Sequence, residues 1–148
     1  MSIMTRETTI TYRTSSQEET EKFGEELACK LHRGMTVLLF GELGAGKTTF
    51  TRGICRALGA PLIKSPSFVI INVYSGIIPI YHIDLYRTGD MDTITAYEIQ
   101  EFIWDDDAIR IVEWAERLPI ELIPDDSIAI EIVRISKNER EFHIEGLE

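Results

Sequence analysis

A short apolar run that leads directly into a glycine-rich loop constrains the fold of this chain more than any other feature. Residues 35–40 read MTVLLF, and residues 41–48 read GELGAGKT. A short, nearly continuous apolar run is typical of a strand that is buried on both faces of a sheet. The loop matches the pattern G-x-x-x-x-G-K-[ST], which binds phosphate groups where a strand passes into a helix. The sequence therefore predicts a strand, a phosphate-binding loop and a helix in direct succession.

The residue types in this loop suit the binding of a nucleotide and a magnesium ion. Glycines allow backbone N–H groups to come close to phosphate oxygens, and the N-terminus of the following helix favours an anion. In this pattern Lys47 is expected to reach the β- and γ-phosphates, and the Thr48 hydroxyl is expected to bind Mg²⁺. The predicted nucleotide-binding positions in the loop are Glu42, Leu43, Gly44, Ala45, Gly46, Lys47, Thr48 and Thr49.

Length and composition favour one soluble domain that spans residues 1–148. Hydrophobic residues make up 44% and charged residues 27% of the chain, and a chain of this length can bury a substantial core. Its apolar runs are shorter than a membrane span, and its N-terminus lacks the layout of a signal peptide. We therefore expect a cytoplasmic protein in which Cys29 and Cys55 are reduced, buried thiols.

The formal net charge of −10 bears on what the protein binds. A protein that binds nucleic acid tightly by itself normally presents a basic surface, because contacts to phosphate supply most of the affinity. The acidic charge argues against tight binding of RNA or DNA by this chain alone. It leaves open a function beside a basic partner.

Hydrophobic periodicity predicts strands and helices along the whole chain. Phe23, Leu27 and Leu31 recur every four residues, which predicts a first helix that ends at Gly34. A second helix is predicted from the loop to Gly59, and a third over residues 92–104. The predicted strands are residues 7–13 (half-buried), 35–40, 67–74, 78–86, 108–114, 126–136 and 140–146, the last two as an antiparallel hairpin. This order predicts an α/β fold, a three-layer phosphate-loop NTPase-like domain with a mixed sheet that is mostly parallel at its centre and has antiparallel additions.

Two acidic residues end apolar strands, where a nucleotide-hydrolysing enzyme needs a carboxylate for Mg²⁺. Asp84 ends the stretch IIPIYHID, and Glu113 ends the stretch IRIVE. Asp84 is predicted to bind Mg²⁺ with Thr48, and Glu113 either orients the attacking water or holds a magnesium-bound water. Lys47, Asp84 and Glu113 form the predicted catalytic set. Trp114 is expected to stack on adenine, to pack against a partner or to pack in the core.

Three further features bear on the predicted site. Ser65 and Ser67, in the stretch KSPS, are expected either to contact the γ-phosphate and the magnesium shell or to cap a strand. His82 shares a face of its strand with Asp84, so it is either a packed core residue or a side chain behind the acid. Adenine is favoured as the base, because the Asn-Lys-x-Asp element of guanine-specific switch proteins is missing: the Lys137–Asn138 pair has the reverse order.

Four motifs, GELGAGKTTFTRG, KSPSF, YHIDLYR and IVEW, occur in this order. Together they resemble the signatures of the TsaE family (formerly YjeE), the bacterial ATPase subunit of the tRNA threonylcarbamoyladenosine pathway. The resemblance runs from about Thr14 to Pro119 and is weaker beyond it. It implies a phosphate-loop fold with ATP and Mg²⁺ as ligands. By position, the resemblance implies that Lys47 and Thr48 are the phosphate and Mg²⁺ residues and that Asp84 is the second Mg²⁺ residue. It also implies that Glu113 and Trp114 are the family's Glu-Trp pair near the nucleotide, and that Ser65, Pro66 and Ser67 are its switch-like stretch.

The resemblance also implies partners and a biological role. Members of this family join two paralogous proteins that transfer a threonylcarbamoyl group to adenosine 37 of ANN-decoding tRNAs, so tRNA would be met only through those partners. Hydrolysis of ATP would reset the complex for repeated turnover. The sequence departs from the family pattern at Ser67, where threonine is usual, and in the helix before residue 105, which lacks a Leu-Gly pair.

Two other functions fit the loop. A small-molecule kinase shares the loop and the size, but such a kinase usually needs a mobile lid with several arginines, and residues 87–104 contain one. A nucleotide-dependent interaction module without meaningful catalysis is the other alternative. The combined motifs favour an ATPase subunit that acts within a complex.

Overall fold

The structure is a computed structural model that describes residues 9–42, 44–59, 71–76, 78–86 and 93–147. Within these ranges, seven strands form one mixed sheet in the order β1-β7-β6-β2-β5-β4-β3. The strands are β1 (Thr9–Thr14), β2 (Thr36–Phe40), β3 (Ile71–Ser75), β4 (Pro79–Asp84), β5 (Ile109–Glu113), β6 (Ile128–Arg134) and β7 (Arg140–Glu145). The helices are α1 (Gln17–Ala28), α2 (Lys47–Ala57) and α3 (Thr93–Ile103).

The centre of the sheet is parallel, and its margins are antiparallel. Strand β2 pairs in parallel with β5 and with β6, and β5 pairs in parallel with β4. Strands β3, β7 and β1 are added in antiparallel pairings. Every residue of β5 is buried, as expected for a central strand that is covered on both faces. The predicted α/β class with a mixed sheet is confirmed.

The sheet lies between two helical layers. Leu38 and Leu39 of β2 are neighbours that point to opposite faces of the sheet, so they enter two different cores. Leu39 packs in the core that includes Phe50 of α2, on the face covered by α1 and α2. Leu38 packs in the core that includes Ile103 of α3, on the other face. This arrangement gives the three layers that the sequence predicts.

Helices α1 and α2 approach each other closely at two glycines. A Cβ atom at Gly53 would lie 2.0 Å from the carbonyl oxygen of Glu21, and one at Gly24 would lie 2.3 Å from the carbonyl oxygen of Phe50. Only glycine fits at either position without a shift of backbone. An ion pair between Arg56 and Glu21 lies beside this contact. The contact holds α1 against α2, so that the first turn of α1 lies beside the glycine-rich loop.

The predicted end of the first helix is wrong. Helix α1 begins after Ser16, whose side chain accepts a hydrogen bond from the backbone N–H of Glu19, but it ends at Ala28 rather than at Gly34. Gly34, with φ of +89°, lies in the turn that enters β2, and its N–H donates to the carbonyl oxygen of Ala108 at 3.0 Å. This glycine therefore serves the entry into the sheet and not the end of the helix.

Two predictions of burial are also wrong. Strand β1 is exposed except at Thr14, because among the described strands it lies at the edge of the sheet and pairs only with β7. Tyr12 stacks on Phe23 with ring centroids 4.0 Å apart but stays 41% exposed. Cys29 is exposed just after the end of α1, whereas Cys55 is buried. Burial raises the pKa of the Cys55 thiol to about 12. Both thiols are free, as expected.

The remaining elements match their predicted positions closely, with changes at their ends. The first residues of the strand predicted at 67–74 lie outside the described residues, and β3 extends to Ser75. Strand β4 ends at Asp84 rather than at residue 86, because the Asp84 Oδ1 atom accepts a hydrogen bond from the N–H of Tyr86 at 3.0 Å and turns the chain. None of the helices described is long and apolar enough to cross a membrane.

Candidate nucleotide-binding site

The glycine-rich loop connects the carboxyl end of β2 with the N-terminus of α2, as predicted. Helix α2 begins at Lys47, and its first turn has no side-chain cap. Gly44 has φ of +83° and Gly46 has φ of +105°, a region of backbone conformation that favours glycine. The uncapped N–H groups at the start of α2 remain available for an anion. The local geometry is therefore that of a phosphate-binding loop.

A cavity of about 380 Å³ opens above the loop and brings most of the predicted residues together. It lies at the carboxyl ends of the parallel strands, where α/β proteins bind ligands. Glu42 lies outside its lining, on a neighbouring cavity, and the buried Ala45 also lies outside it. Leu43, Ser65 and Ser67 lie outside the described residues. The predicted residues that line the cavity are Gly44, Gly46, Lys47, Thr48, Thr49, Asp84, Glu113 and Trp114.

Lys47 is held inside the loop. Its side chain is buried, and its Nζ atom donates hydrogen bonds to the carbonyl oxygens of Gly41 and Glu42. The same atom lies 4.1 Å from the centroid of the Trp114 ring, within the range of a cation–π interaction. Burial lowers the pKa of Lys47, and the nearby carboxylates, Glu113 first, act against this shift. The ammonium group therefore lies at the loop, and it makes no direct ion pair with any residue that the structure describes.

Glu113 links the loop helix to the sheet. Its Oε1 atom accepts a hydrogen bond from the Thr48 hydroxyl at 3.4 Å, and its Oε2 atom is hydrogen-bonded to the Nε2 atom of His82. His82 is completely buried. His82 is therefore buried in the core, as one expectation has it, and the acid that it lies behind is Glu113 rather than Asp84. Asp84 is directly opposite Glu113 in the β4–β5 register, so both acids reach the same edge of the sheet.

The side chains around Thr48 fit a magnesium ion. Thr48, Asp84 and Glu113 offer hydroxyl and carboxylate oxygens, the ligands that Mg²⁺ prefers, and all three line one cavity. No group of three or more His, Cys, Asp or Glu side chains that could hold a metal ion by itself is found in the described part of the chain. Magnesium in nucleotide sites uses one or two carboxylates together with phosphate oxygens and water, which agrees with this sparse set.

Trp114 has an unusual backbone. Its φ of +58° is the only positive value among the described residues other than glycine, and such strain persists only where the surroundings hold it. The ring lies 5.0 Å from that of Tyr86 and 5.1 Å from the Arg117 guanidinium. It also borders a second cavity of about 410 Å³ beside the loop. The indole is thus fixed at the Lys47 end of the site.

Sequence reasoning missed the opposite wall of the cavity. The lining residues on that wall come from the first turns of α1 and from the turn between β6 and β7. In the sequence, Lys137–Asn138 bears only on the guanine element, as a pair in the reverse order. No local pattern places these residues beside the loop, because the sheet order brings them there. The missed residues are Ser16, Gln17, Thr20, Lys137, Asn138 and Arg140.

Arg140 fastens this wall to the loop. Its Nε atom donates to the carbonyl oxygen of Ala45 at 2.9 Å, and its Nη2 atom donates to that of Gly44 at 3.2 Å. Its Nη1 atom donates to the carbonyl oxygens of Ser136 and Glu139 in the β6–β7 turn, at 2.9 and 3.0 Å. Burial is the main cause of a lowered pKa for Arg140. One guanidinium therefore bridges the hairpin turn and the glycine-rich loop.

Comparisons with known proteins identify the family. The family described as threonylcarbamoyl adenosine biosynthesis protein TsaE matches residues 14–142. A Bacillus subtilis protein named tRNA threonylcarbamoyladenosine biosynthesis protein TsaE is 36% identical, over 89% of this chain and 82% of its own length. A protein of the same name from Treponema pallidum is 32% identical, over 87% of this chain and 95% of its own length. Another from Synechocystis is 43% identical, over 68% of this chain and 66% of its own length.

A solved structure agrees with these matches. The crystal structure of Bacillus subtilis YdiB superimposes with a TM-score of 0.74 at 33% sequence identity, over 95% of this chain and 87% of that chain. The family match covers the glycine-rich loop, both strand-end acids and the start of β7, which are the parts that build the cavity. The chain therefore belongs to the TsaE family of threonylcarbamoyl adenosine biosynthesis proteins.

Proposed function

We propose that this protein is a magnesium-dependent ATPase subunit required for the threonylcarbamoyl modification of adenosine 37 in ANN-decoding tRNAs. The observation that carries the proposal is the single cavity in which a phosphate loop meets Thr48 and two strand-end carboxylates. Membership of the TsaE family places the protein in threonylcarbamoyladenosine biosynthesis. ATP hydrolysis resets the modification complex and so allows repeated turnovers.

The phosphate end of ATP lies over the start of α2 in this proposal. The N–H groups of the loop and the helix bind the phosphate oxygens, and the Lys47 ammonium leaves the loop carbonyls to contact the β- and γ-phosphates. Thr48, Asp84 and Glu113 hold Mg²⁺, which supplies charge neutralisation at the phosphates. Of the two roles open to Glu113, the magnesium shell is favoured, because its carboxylate already contacts the Thr48 hydroxyl.

The base end of ATP lies at the other wall. Trp114 is fixed beside Lys47, which makes it a neighbour of the γ-phosphate rather than a stacking platform for adenine. Gln17, Lys137 and Asn138 line the cavity from the first turn of α1 and from the β6–β7 turn. Their amide and ammonium groups can donate hydrogen bonds to ribose and adenine.

Charge and family membership both support the proposed partners. A net charge of −10 disfavours direct binding of tRNA, so two paralogous proteins of the threonylcarbamoyl-transferase complex hold the tRNA while this subunit hydrolyses ATP in the cytoplasm. A kinase is less favoured, because the described helix α3 contains no arginine and packs on the sheet through Ile99 and Ile103.

Multiple-turnover modification of tRNA tests the proposal. The purified partner pair is incubated with excess tRNA, with and without this protein and ATP, and modified adenosine is counted per partner pair. We expect repeated turnovers only when the active protein and hydrolysable ATP are both present, and the Lys47→Ala variant provides the inactive control. Equal yields in all reactions would contradict the proposal and make a screen for kinase substrates the next step.

A further inference from the structure

Two buried nitrogen atoms on neighbouring strands lack hydrogen-bond partners. The Nδ1 atom of His82 and the Nδ2 atom of Asn72 both belong to the few buried side-chain polar atoms without a partner among the described residues. His82 and Asn72 are directly opposite each other in the antiparallel β3–β4 register. Opposite residues in such a pair project from the same face of the sheet, with their Cβ atoms close together. The two side chains are therefore neighbours on one face of the sheet.

The chemistry of these two atoms is complementary. A neutral imidazole has one nitrogen that donates and one that accepts. The Glu113 carboxylate only accepts, so its contact with the Nε2 atom of His82 selects the tautomer with the proton on Nε2. The Nδ1 atom is then an acceptor, and the Asn72 amide nitrogen is a donor. A rotation of the Asn72 side chain that brings the two atoms within hydrogen-bond distance would satisfy both of them and fix this tautomer.

A continuous chain of polar groups results. It runs from His82 through Glu113 to the Thr48 hydroxyl at the start of α2, and Asn72 on the edge strand β3 lies next to its His82 end. His82 is fully buried and Glu113 is almost so, so solvent cannot replace a missing link. Removal of the imidazole donor would leave one carboxylate oxygen unpaired and would free the Glu113 side chain to rotate away from Thr48.

We propose that His82, supported by Asn72, is a positioning residue that holds the Glu113 carboxylate towards Thr48 and the nucleotide cavity. The inference rests on the proposed function in one respect, the role of Glu113 at magnesium-bound nucleotide. A histidine that only fills the core would be replaceable by an apolar side chain of similar size. A positioning histidine would be replaceable only by another donor at the same place.

Three variants separate these roles: His82→Leu, His82→Gln and Asn72→Leu. The measurements are steady-state ATP hydrolysis with the partner pair, calorimetric ADP affinity in Mg²⁺ and in EDTA, and thermal melting. For His82→Leu we expect kcat about 100-fold lower with KM within about twofold, as for a displaced catalytic group. The gain in ADP affinity that Mg²⁺ provides should also fall about tenfold, while affinity in EDTA stays unchanged.

The His82→Gln variant should restore most of the activity that His82→Leu loses. Its amide nitrogen can donate to Glu113 from about the place of the Nε2 atom, so kcat should return to within about tenfold of the wild type. Asn72→Leu removes only the outer link, and we expect a loss of about threefold to tenfold in kcat. The matched control is His143→Leu, which removes a second histidine–glutamate pair, with Glu141, on strand β7; neither residue of this pair lines the cavity. This control should behave as the wild type.

Several results would overturn the inference. They are a His82→Leu variant with wild-type kcat and magnesium dependence, and a His82→Gln variant that folds but is as impaired as the leucine variant. If His82→Leu does not fold, His82→Gln and Asn72→Leu decide the question through the magnesium dependence of ADP affinity. A wild-type protein that binds ADP with Mg²⁺ but hydrolyses no ATP beside its partners would refute the proposed function alone, and the affinity measurements would still test His82.

Discussion

The two walls of the nucleotide cavity are built in different ways. The loop wall consists of consecutive residues, from the end of β2 to the first turn of α2, and its key contacts are local, as in the hydrogen bonds from Lys47 to Gly41 and Glu42. The opposite wall, formed by the first turn of α1 and the β6–β7 turn and called the hairpin wall below, consists of residues that are far apart in the chain. Its main contact joins Arg140 to Ala45 across 95 positions. The phosphate end is thus encoded locally, whereas the base end depends on the assembled sheet.

The difference predicts how mutations act on each wall. A change in the loop wall removes a group that contacts phosphate or magnesium directly, so binding or hydrolysis should fail while the fold persists. A change in the hairpin wall acts through the geometry of the loop or through the position of α1, so binding should weaken by degrees.

Lys47→Ala should have the largest effect. The variant loses a cation that makes charge-assisted hydrogen bonds, each worth about 1.5–3 kcal/mol, so we expect at least about a 100-fold loss of affinity for ATP and ADP. Isothermal titration calorimetry measures the loss, and thermal melting shows whether the fold persists. Lys30→Ala, at an exposed position after α1, is the matched control. Unchanged titration curves for Lys47→Ala would remove the loop from the binding site.

Asp84→Ala should separate hydrolysis from binding. The carboxylate lies at the end of β4 on the cavity, so its loss should lower magnesium-dependent hydrolysis by about 100-fold while ATP affinity in EDTA changes by less than about threefold. Colorimetric phosphate release with the partner pair measures the rate, and EDTA added to the wild type should reproduce the loss. Retained hydrolysis in Asp84→Ala would exclude this acid from the mechanism.

Gly53→Ala tests the support of the hairpin wall. Helix α1 carries Ser16 and Gln17 to the cavity, and its contact with α2 leaves no room for a Cβ atom at Gly53, which would lie 2.0 Å from the Glu21 carbonyl oxygen. We expect a loss of about 1–3 kcal/mol in the free energy of unfolding by urea, although alanine in an unhindered helix would stabilise by about 0.5–1 kcal/mol. The sign of the change in the free energy of unfolding therefore shows whether the close contact at Gly53 or the helix propensity of alanine dominates. Glu26→Ala, exposed on α1, should change stability by less than about 0.5 kcal/mol.

The same contrast explains how much the sequence could predict. Strand β2, the loop and α2 follow from consecutive residue types, and the places of Asp84 and Glu113 follow from the rule that parallel strands end at one edge. The exposure of β1 could not be predicted, because the alternation of Ile10 and Tyr12 does not reveal that the strand lies at the edge of the sheet. Nor could Arg140 be placed, because its contact with the loop requires β7 to lie next to β6, which in turn lies next to β2.

Arg140→Met should have the smallest effect and the most specific one. The variant keeps much of the aliphatic side chain but loses the hydrogen bonds to the carbonyl oxygens of Ala45 and Gly44, so the loop is less well held for phosphate. We expect about tenfold weaker ADP binding by calorimetry, since each such bond contributes about 1 kcal/mol, and Arg140→Lys should lie between the variant and the wild type. Arg13→Met is the control, because Arg13 pairs with Glu141 on the exposed edge of the sheet. Wild-type affinity in Arg140→Met would mean that the loop is set locally and that the hairpin only covers the base.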